Sequence, residues 1–430
     1  MITTAFINIW HQRIGAIAWN SDTGLGSFEY DTTFLKNNLN LAPIKMPIEG
    51  AARRVFTFSE LRDVKTFKGL PGLLADVLPD KYGNALINTW LTRQGRASDS
   101  LNPVEILCFI GQRGMGALEF EPTILKSNNT ASKIEISNLI EIAEGILSGR
   151  KDFSSKLKPN EEKALLDILK IGSSAGGARA KAIIAYNSKT KEVRSGQAYA
   201  PKGFTHWLIK FDGVTDKQFG SSSGYGRVEM AYHLMAKDAG IEMTECKLFE
   251  ENGRAHFMTR RFDRKNGKDK LHVQSFCAMQ HYDFNEVNQY SYEQLFETMR
   301  MLGLPYPQAE QLYRRMVFNV MARNCDDHTK NFAFIMDKKG NWSLSPAYDV
   351  CHAYRPGSEW VNQHALSING KRKNILKTDL LEVAKRMNVK KAPSIIKQIG
   401  DVVGNWKEYA NKVKVDRKLK EAIEKTLVTI

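Results

Sequence analysis

Cysteine is scarce in this chain: five residues in 430, Cys108, Cys246, Cys277, Cys325 and Cys351, odd in number and widely scattered. That usage suits a reducing compartment rather than a disulfide scaffold. No apolar run approaches the length needed to span a bilayer, so no membrane partner is expected. The start, Met1-Ile2-Thr3-Thr4-Ala5, has neither the basic region nor the long apolar stretch of a signal peptide, and a cytoplasmic location is expected. There is no internal repeat and no low-complexity tract. Cys325, His328, Cys351 and His352 would make a tetrahedral zinc set by type, but their spacing lacks the usual paired-ligand loops. His352 is expected to cap or pack instead.

What is present is an ordinary globular balance, 42% hydrophobic and 25% charged, in a chain long enough for two or three domains. A formal charge of +15, from 62 basic against 47 acidic residues, points to phosphate or acidic surfaces. No DNA or RNA motif accompanies it, and groups such as Lys371-Arg372-Lys373 read mostly as solvated faces. A chain that works beside DNA without reading bases is consistent with this balance.

Residues 1–125 carry short β-like runs, Thr4 to Ile9 and Ile14 to Trp19, between Gly and Asp/Asn turns, which predicts a small α+β module. Gly69 to Asp80 reads as a turn, a short helix and a stop, with an architectural role. The polar, turn-rich Lys126-Ser127-Asn128-Asn129-Thr130 is the best linker candidate. Residues 171–264 are strand-rich, with Ala182 to Tyr186, Thr205 to Phe211 and Arg254 to Thr259 as strands and one amphipathic helix near Val228 to Lys237. From Tyr290 onward helical periodicity dominates. The expected division is 1–125, an amino-terminal subdomain; 126–270, a nucleotide-covering lobe; and 271–430, a helical lobe.

The most informative run is Cys325-Asp326-Asp327-His328-Thr329-Lys330-Asn331, with Asp349 eighteen residues further on in Pro346-Ala347-Tyr348-Asp349-Val350. A helical stripe of Leu312, Met316, Val317 and Val320 leads in and the β-like Phe332 to Met336 leads out, so the polar residues fall on a loop. An aspartate followed five positions on by an asparagine is the spacing of a kinase catalytic loop, in which the first orients the acceptor hydroxyl and the second holds magnesium. Asp349 then supplies a second metal ligand, and few are needed because phosphate and water complete the octahedron. The bland alternative is that these are turn and cap residues.

Upstream pieces weigh against the bland reading. Ile171 to Lys181 is a small-residue loop before a strand, able to bring backbone amides close to phosphate, although it matches neither Walker A nor GxGxxG and a plain connection explains it as well. Trp207-Leu208-Ile209-Lys210-Phe211 puts a lysine in an apolar strand, where a charge is costly unless paired; the alternative is an edge-strand lysine pointing to water. Glu229 on the following helix is a candidate ion-pair partner, with a solvated helix face as the alternative. The order of these parts is that of a kinase.

The chain resembles the HipA family of bacterial toxin kinases over nearly its whole length, through Ser174-Ala175-Gly176-Gly177-Ala178-Arg179-Ala180-Lys181, Ile209-Lys210-Phe211, Arg261-Phe262-Asp263-Arg264, Asp326-Asp327-His328-Thr329-Lys330-Asn331 and Ser345-Pro346-Ala347-Tyr348-Asp349. Gly69 to Asp76 and Gly114-Met115-Gly116-Ala117-Leu118 look like the family's small first domain. The resemblance implies an α+β, protein-kinase-like two-lobed fold and an ATP- and magnesium-dependent serine/threonine kinase acting on a translation protein such as an aminoacyl-tRNA synthetase. It also implies a helix-turn-helix antitoxin of the HipB type that carries the toxin to operator DNA.

By motif, Asp326 is the catalytic base, and Asn331 and Asp349 hold magnesium. Lys210 contacts the ATP phosphates, Ala175, Gly176, Gly177, Ala178, Arg179, Ala180 and Lys181 form the phosphate loop, His328 lines the nucleotide site, and Arg260 to Phe262 is the adenine hinge. Ser174, or Ser173 if the match slips by one, is the autophosphorylation site whose added charge would repel ATP. Where many members carry Glu or Gln, this chain has Arg179, Ala180 and Arg260, which predicts a more basic pocket. Two other readings are a kinase-fold co-repressor without turnover and a small-molecule or lipid kinase.

Overall fold

The structure, a computed structural model, describes residues 2–125, 132–147, 159–172, 179–196, 200–216, 220–221, 223–265, 267 and 269–430. The linker candidate Lys126 to Thr130 and the loop residues Ser173, Ser174, Ala175, Gly176, Gly177 and Ala178 lie outside them. The chain divides into two units: Met1–Leu41, Met46–Gly226 and Lys247–Val273 form the first, and Ala42–Lys45, Arg227–Cys246 and Gln274–Ile430 the second.

The first unit begins with β1 (Thr4–Ile9), β2 (Gln12–Asn20), β3 (Leu25–Tyr30) and β4 (Val55–Phe56), joined by β5 (Leu118–Glu121) into one antiparallel sheet of order β4-β3-β2-β1-β5. In β1 the alternation that marks a half-buried strand is visible in burial: Ala5, Ile7 and Ile9 are enclosed while Thr4 and Phe6 face outward. Helices α1 (Gly72–Ala75), α2 (Lys81–Arg93) and α3 (Pro103–Ile110) follow β4. The last starts at a reciprocal cap, Asn102 accepting from the Glu105 amide while Glu105 accepts from the Asn102 amide.

Helices α4 (Ile136–Leu147) and α5 (Pro159–Gly172) pack against α2, and α5 also lies against β6. The second sheet is built from β6 (Lys181–Tyr186), β7 (Val193–Ser195), β8 (Thr205–Lys210), β11 (Cys246–Glu251) and β12 (Arg254–Arg260) in the order β11-β12-β8-β6-β7. Two separate two-stranded ribbons pair β9 (Thr215–Asp216) with β10 (Gly220–Ser221) and β13 (Arg264–Lys265) with β14 (Asp269–Lys270). Because β8 is the central strand, Lys210 is not an edge-strand lysine.

The second unit is mainly helical. It holds most of α6 (Tyr225–Asp238), then α7 (Phe276–Gln280), α8 (Tyr292–Met301), α9 (Tyr306–Met321), α10 (Lys377–Met387), α11 (Ala392–Gly404), α12 (Trp406–Lys412) and α13 (Arg417–Glu424), with the hairpin β16 (Ala333–Met336) and β17 (Trp342–Leu344). Strand β15 (His272–Ser275) lies where the chain passes from one unit to the other. Leu312, Met316, Val317 and Val320 of α9 are all buried, and so are Tyr313, Phe318 and Met321. At roughly 1.5–3 kcal/mol for each large apolar side chain enclosed, α9 is the helix on which this unit is organised. No helix among the described residues is long and apolar enough to cross a membrane.

Buried imidazoles set an acid limit on both units. Burial pushes His272 in the first unit down to about 4, against a weaker opposing hydrogen bond to the Leu41 carbonyl. His233 in the second is likewise lowered to about 4, by burial and then by Lys237. Each binds its proton more readily unfolded, so stability is present above about pH 6.5 and declines as the pH falls toward about 4. Thermal melts should show this decline, and it should shrink in His272→Gln; an equal decline in that variant would contradict the assignment.

Candidate active site

The chain enters the candidate catalytic loop where α9 stops. Arg323 takes a left-handed backbone, φ 55°, which ends the helix and turns the chain. The loop is then held edge-on by residue 353: the Cys325 amide donates to the Ala353 carbonyl at 3.0 Å and the Ala353 amide to the Arg323 carbonyl at 3.0 Å. A single 3-10 turn, Thr329–Asn331, closes the loop and leads to β16. Thr329 Oγ1 donates to the Tyr282 carbonyl.

Two adjacent aspartates meet opposite fates here. The Asp326 side chain is half exposed, at 50%, with an oxygen 3.8 Å from His328 Nε2. Asp327 is sealed at 1%. Its Oδ1 accepts the Ala365 amide at 2.8 Å, and its Oδ2 accepts the Tyr292 hydroxyl at 2.8 Å and faces His364 Nδ1 at 2.8 Å. Burial alone would lower His364, but the Asp327 carboxylate outweighs it and raises the imidazole to about 10, so the ring keeps its proton at neutral pH. Asn319 Nδ2 donates to the Tyr292 oxygen, and Asn324 Nδ2 donates to Asn319 Oδ1.

Asn331 Nδ2 donates to the Asp326 carbonyl at 2.5 Å, which leaves the amide oxygen as the atom it can offer a cation. Tyr348 donates its hydroxyl to the Lys330 carbonyl at 2.7 Å, and the next residue, Asp349, is left-handed at φ 56°. Asparagine and aspartate are the non-glycine residues that tolerate this region best. Asn331 and Asp349 line one cavity with Asp327 and Asn319. One carboxylate and one amide oxygen suit a hard, oxygen-seeking cation that keeps most of its shell as water and phosphate. For zinc the fit is poor: no group of three or more His, Cys, Asp or Glu among the described residues is placed to hold a metal ion. His352 packs edge-on to Tyr232 and bonds Thr426 at 2.9 Å.

In the first unit, β6 and β8 set Lys181 directly opposite Lys210, and Phe257 of β12 lies opposite Lys210 on its other side. Directly opposed residues share a sheet face. Lys181 is buried at 3%, and the Lys210 ammonium is 5.9 Å from the Phe257 ring centre. The Arg179 guanidinium stacks 4.7 Å over Tyr225, beside the buried Ala180. Arg260 ends β12 exposed and Phe262 is half buried. Glu229 on α6 is buried at 7%, so the solvated-face reading of it does not hold.

From Arg261 to Arg264 the chain does something local spacing did not announce. Asp263, fully enclosed, accepts from Arg261 Nε at 2.8 Å, from Arg264 at 2.6 Å and from the Gly116 amide at 2.7 Å. Arg264 returns bonds to the Gly114 and Gly116 carbonyls. Burial would raise the Asp263 carboxyl, but Arg261 and Arg264 outweigh it and hold it far below the usual range. The Gly114 to Gly116 turn of the amino-terminal module is thus clamped onto the segment that follows β12. Asp327, Tyr292, Asn319 and His364 also went unnoticed as site residues; Asp327 alone had a signal, its place beside Asp326.

A model of the HipA-like C-terminal domain matches residues 173–426, and one of the HipA N-terminal domain matches residues 5–121. A protein of Sinorhizobium fredii, Y4dM, provisionally named a kinase, is 26% identical over 160 residues, 34% of this chain and 36% of its own length. The chain therefore matches only about a third of that relative. Among solved structures, a complex of HipA, HipB and operator DNA from Shewanella oneidensis MR-1 superposes over 98% of this chain and 94% of that one, with a TM-score of 0.67 at 16% identity. The proinflammatory kinase CtkA of Helicobacter pylori gives a TM-score of 0.33 at 14% identity over 58% of this chain and 92% of its own. The fold is the α+β, HipA-like fold expected from the sequence.

Proposed function

The chain belongs to the HipA family, and from that premise we propose that it is an ATP-dependent serine/threonine-protein kinase acting as the toxin of a HipBA-like toxin–antitoxin module. The observation that carries this is the pairing of an accessible Asp326 with an Asn331 amide fixed by the Asp326 carbonyl, beside Asp349 on the same cavity as Asn331. In this reading Asp326 orients the acceptor hydroxyl and takes its proton as the acceptor oxygen bonds to the γ-phosphorus and the bond to the ADP oxygen breaks. Lys210, with Lys181 opposite it, meets phosphate charge. Asn331 and Asp349 would hold magnesium, which when bound neutralises charge on the transferring phosphoryl group.

His328, Arg260 and Phe262 contact the nucleotide, and the phosphate loop comprises Ala175, Gly176, Gly177, Ala178, Arg179, Ala180 and Lys181. Ser174, with Ser173 as the alternative, is the autophosphorylation site, where about two added negative charges oppose ATP. The functional division is 1–125, 126–270 and 271–430. A translation protein such as an aminoacyl-tRNA synthetase is the substrate, and a helix-turn-helix antitoxin of the HipB type brings the toxin to operator DNA. The likeness to a complex of HipA with HipB and operator DNA, together with the charge of +15, supports the antitoxin and operator partners.

The same likeness and charge favour a second reading, a co-repressor without turnover. Growth separates the two. Expression of the wild type should arrest growth, and Asp326→Ala should relieve the arrest while still binding antitoxin and operator. Arrest that persists in Asp326→Ala would sink the kinase reading.

A further inference from the structure

The buried pair beside the catalytic loop carries an inference that rests on the kinase reading but reaches residues outside the motif. Asp327 spends both oxygens on the chain around it, one on the Ala365 amide and one on Tyr292 and His364, each at 2.8 Å. Tyr292 comes from α8, Asn319 from α9 and Asn324 from the loop, so one network gathers two helices and the loop. On the far side, residue 353 is bonded to Arg323 and Cys325. The stretch 353–365 is therefore fastened to the catalytic segment at both ends, with exposed Trp360 between the fastenings.

We propose that His364, acting through Asp327, is a positioning residue that fixes the catalytic loop so that Asp326 and Asn331 keep their working arrangement. The route is short. Asp326 is bonded covalently to Asp327, and Asn331 hangs its amide on the Asp326 carbonyl. A shift of Asp327 therefore moves both, and misplacement by an ångström costs on the order of 100-fold in rate. Burial adds to the effect, because removing His364 leaves a carboxylate enclosed without its countercharge.

The test compares His364→Leu, which removes the donor, with His364→Asn, which keeps a donor near the place of Nδ1. With ATP and a protein acceptor, kcat should fall about 100-fold in His364→Leu while KM for ATP stays within about threefold, and His364→Asn should recover to within about tenfold of wild type. Equal damage in both variants, or none in His364→Leu, would overturn the proposal. Should His364→Leu fail to fold, Tyr292→Phe takes its place, removing one bond to Asp327 and lowering kcat roughly tenfold with KM unchanged; no loss of kcat in it would count against the clamp. A wild type with no turnover would defeat the kinase reading alone. Backbone amide exchange then decides: residues 324–331 should exchange faster in His364→Leu than in His364→Asn, and identical exchange would overturn the clamp.

Discussion

Asp326→Ala is expected to lower kcat for phosphoryl transfer by roughly 100- to 10,000-fold, the range set by a positioned proton acceptor, while leaving the thermal midpoint almost unmoved. The two halves of that expectation come from one fact: the Asp326 side chain is half exposed. Removing an exposed carboxylate costs within about 0.5 kcal/mol. Its neighbour should behave in the opposite way. Asp327→Ala strips three groups of their acceptor and removes the carboxylate that keeps the buried His364 imidazole protonated. Breaking such a pair costs about 3–5 kcal/mol, so this variant should lose activity by losing its fold. Activity and midpoint measured on both proteins check the contrast. A stable, active Asp326→Ala, or an Asp327→Ala that melts like wild type, would contradict it.

The second large effect lies far from the chemistry in sequence. Asp263→Ala should destabilise the first unit by about 3–5 kcal/mol, because Arg261 and Arg264 would be left with charge and no enclosed carboxylate. The turn at Gly114 to Gly116 would lose its bond to residue 263 as well. Because the Asp263 carboxyl is held far down in the folded chain, the contribution is in place above the unfolded value near pH 4 and is lost as the pH falls toward the folded one. Asp63 makes an ion pair with Arg62 at 82% exposure, and Asp63→Ala should change stability by less than about 0.5 kcal/mol. Denaturant unfolding of the two variants tests this, and equal midpoints would refute the buried cluster as a support.

What the sequence disclosed, and what it hid, follows from the range of each interaction. Strand Thr4–Ile9 and the helix carrying Leu312, Met316 and Val320 were legible because burial alternates along the chain with the period of the element itself. The loop from Asp326 to Asn331 was legible because its polar run interrupts two apolar elements. His364 was not, since it meets Asp327 from 37 residues away and no local period marks that meeting. The run Arg261 to Arg264 was legible as a motif by resemblance, yet its carboxylate reaches 147 residues back to Gly116. Lys210 stood between an interior and an edge strand until sheet order placed β8 at the centre; strand order is set by pairing between distant segments.

The central claim is that this chain transfers phosphate with Asp326 at the reacting hydroxyl. The most direct measurement is intact mass of purified wild type and Asp326→Ala, each before and after incubation with ATP and magnesium, with any added phosphate mapped by peptide fragmentation. A phosphate on Ser174, or on Ser173, in the wild type and none in Asp326→Ala is the predicted result. Absence of phosphate from both, together with no binding of ATP by the wild type, would contradict it.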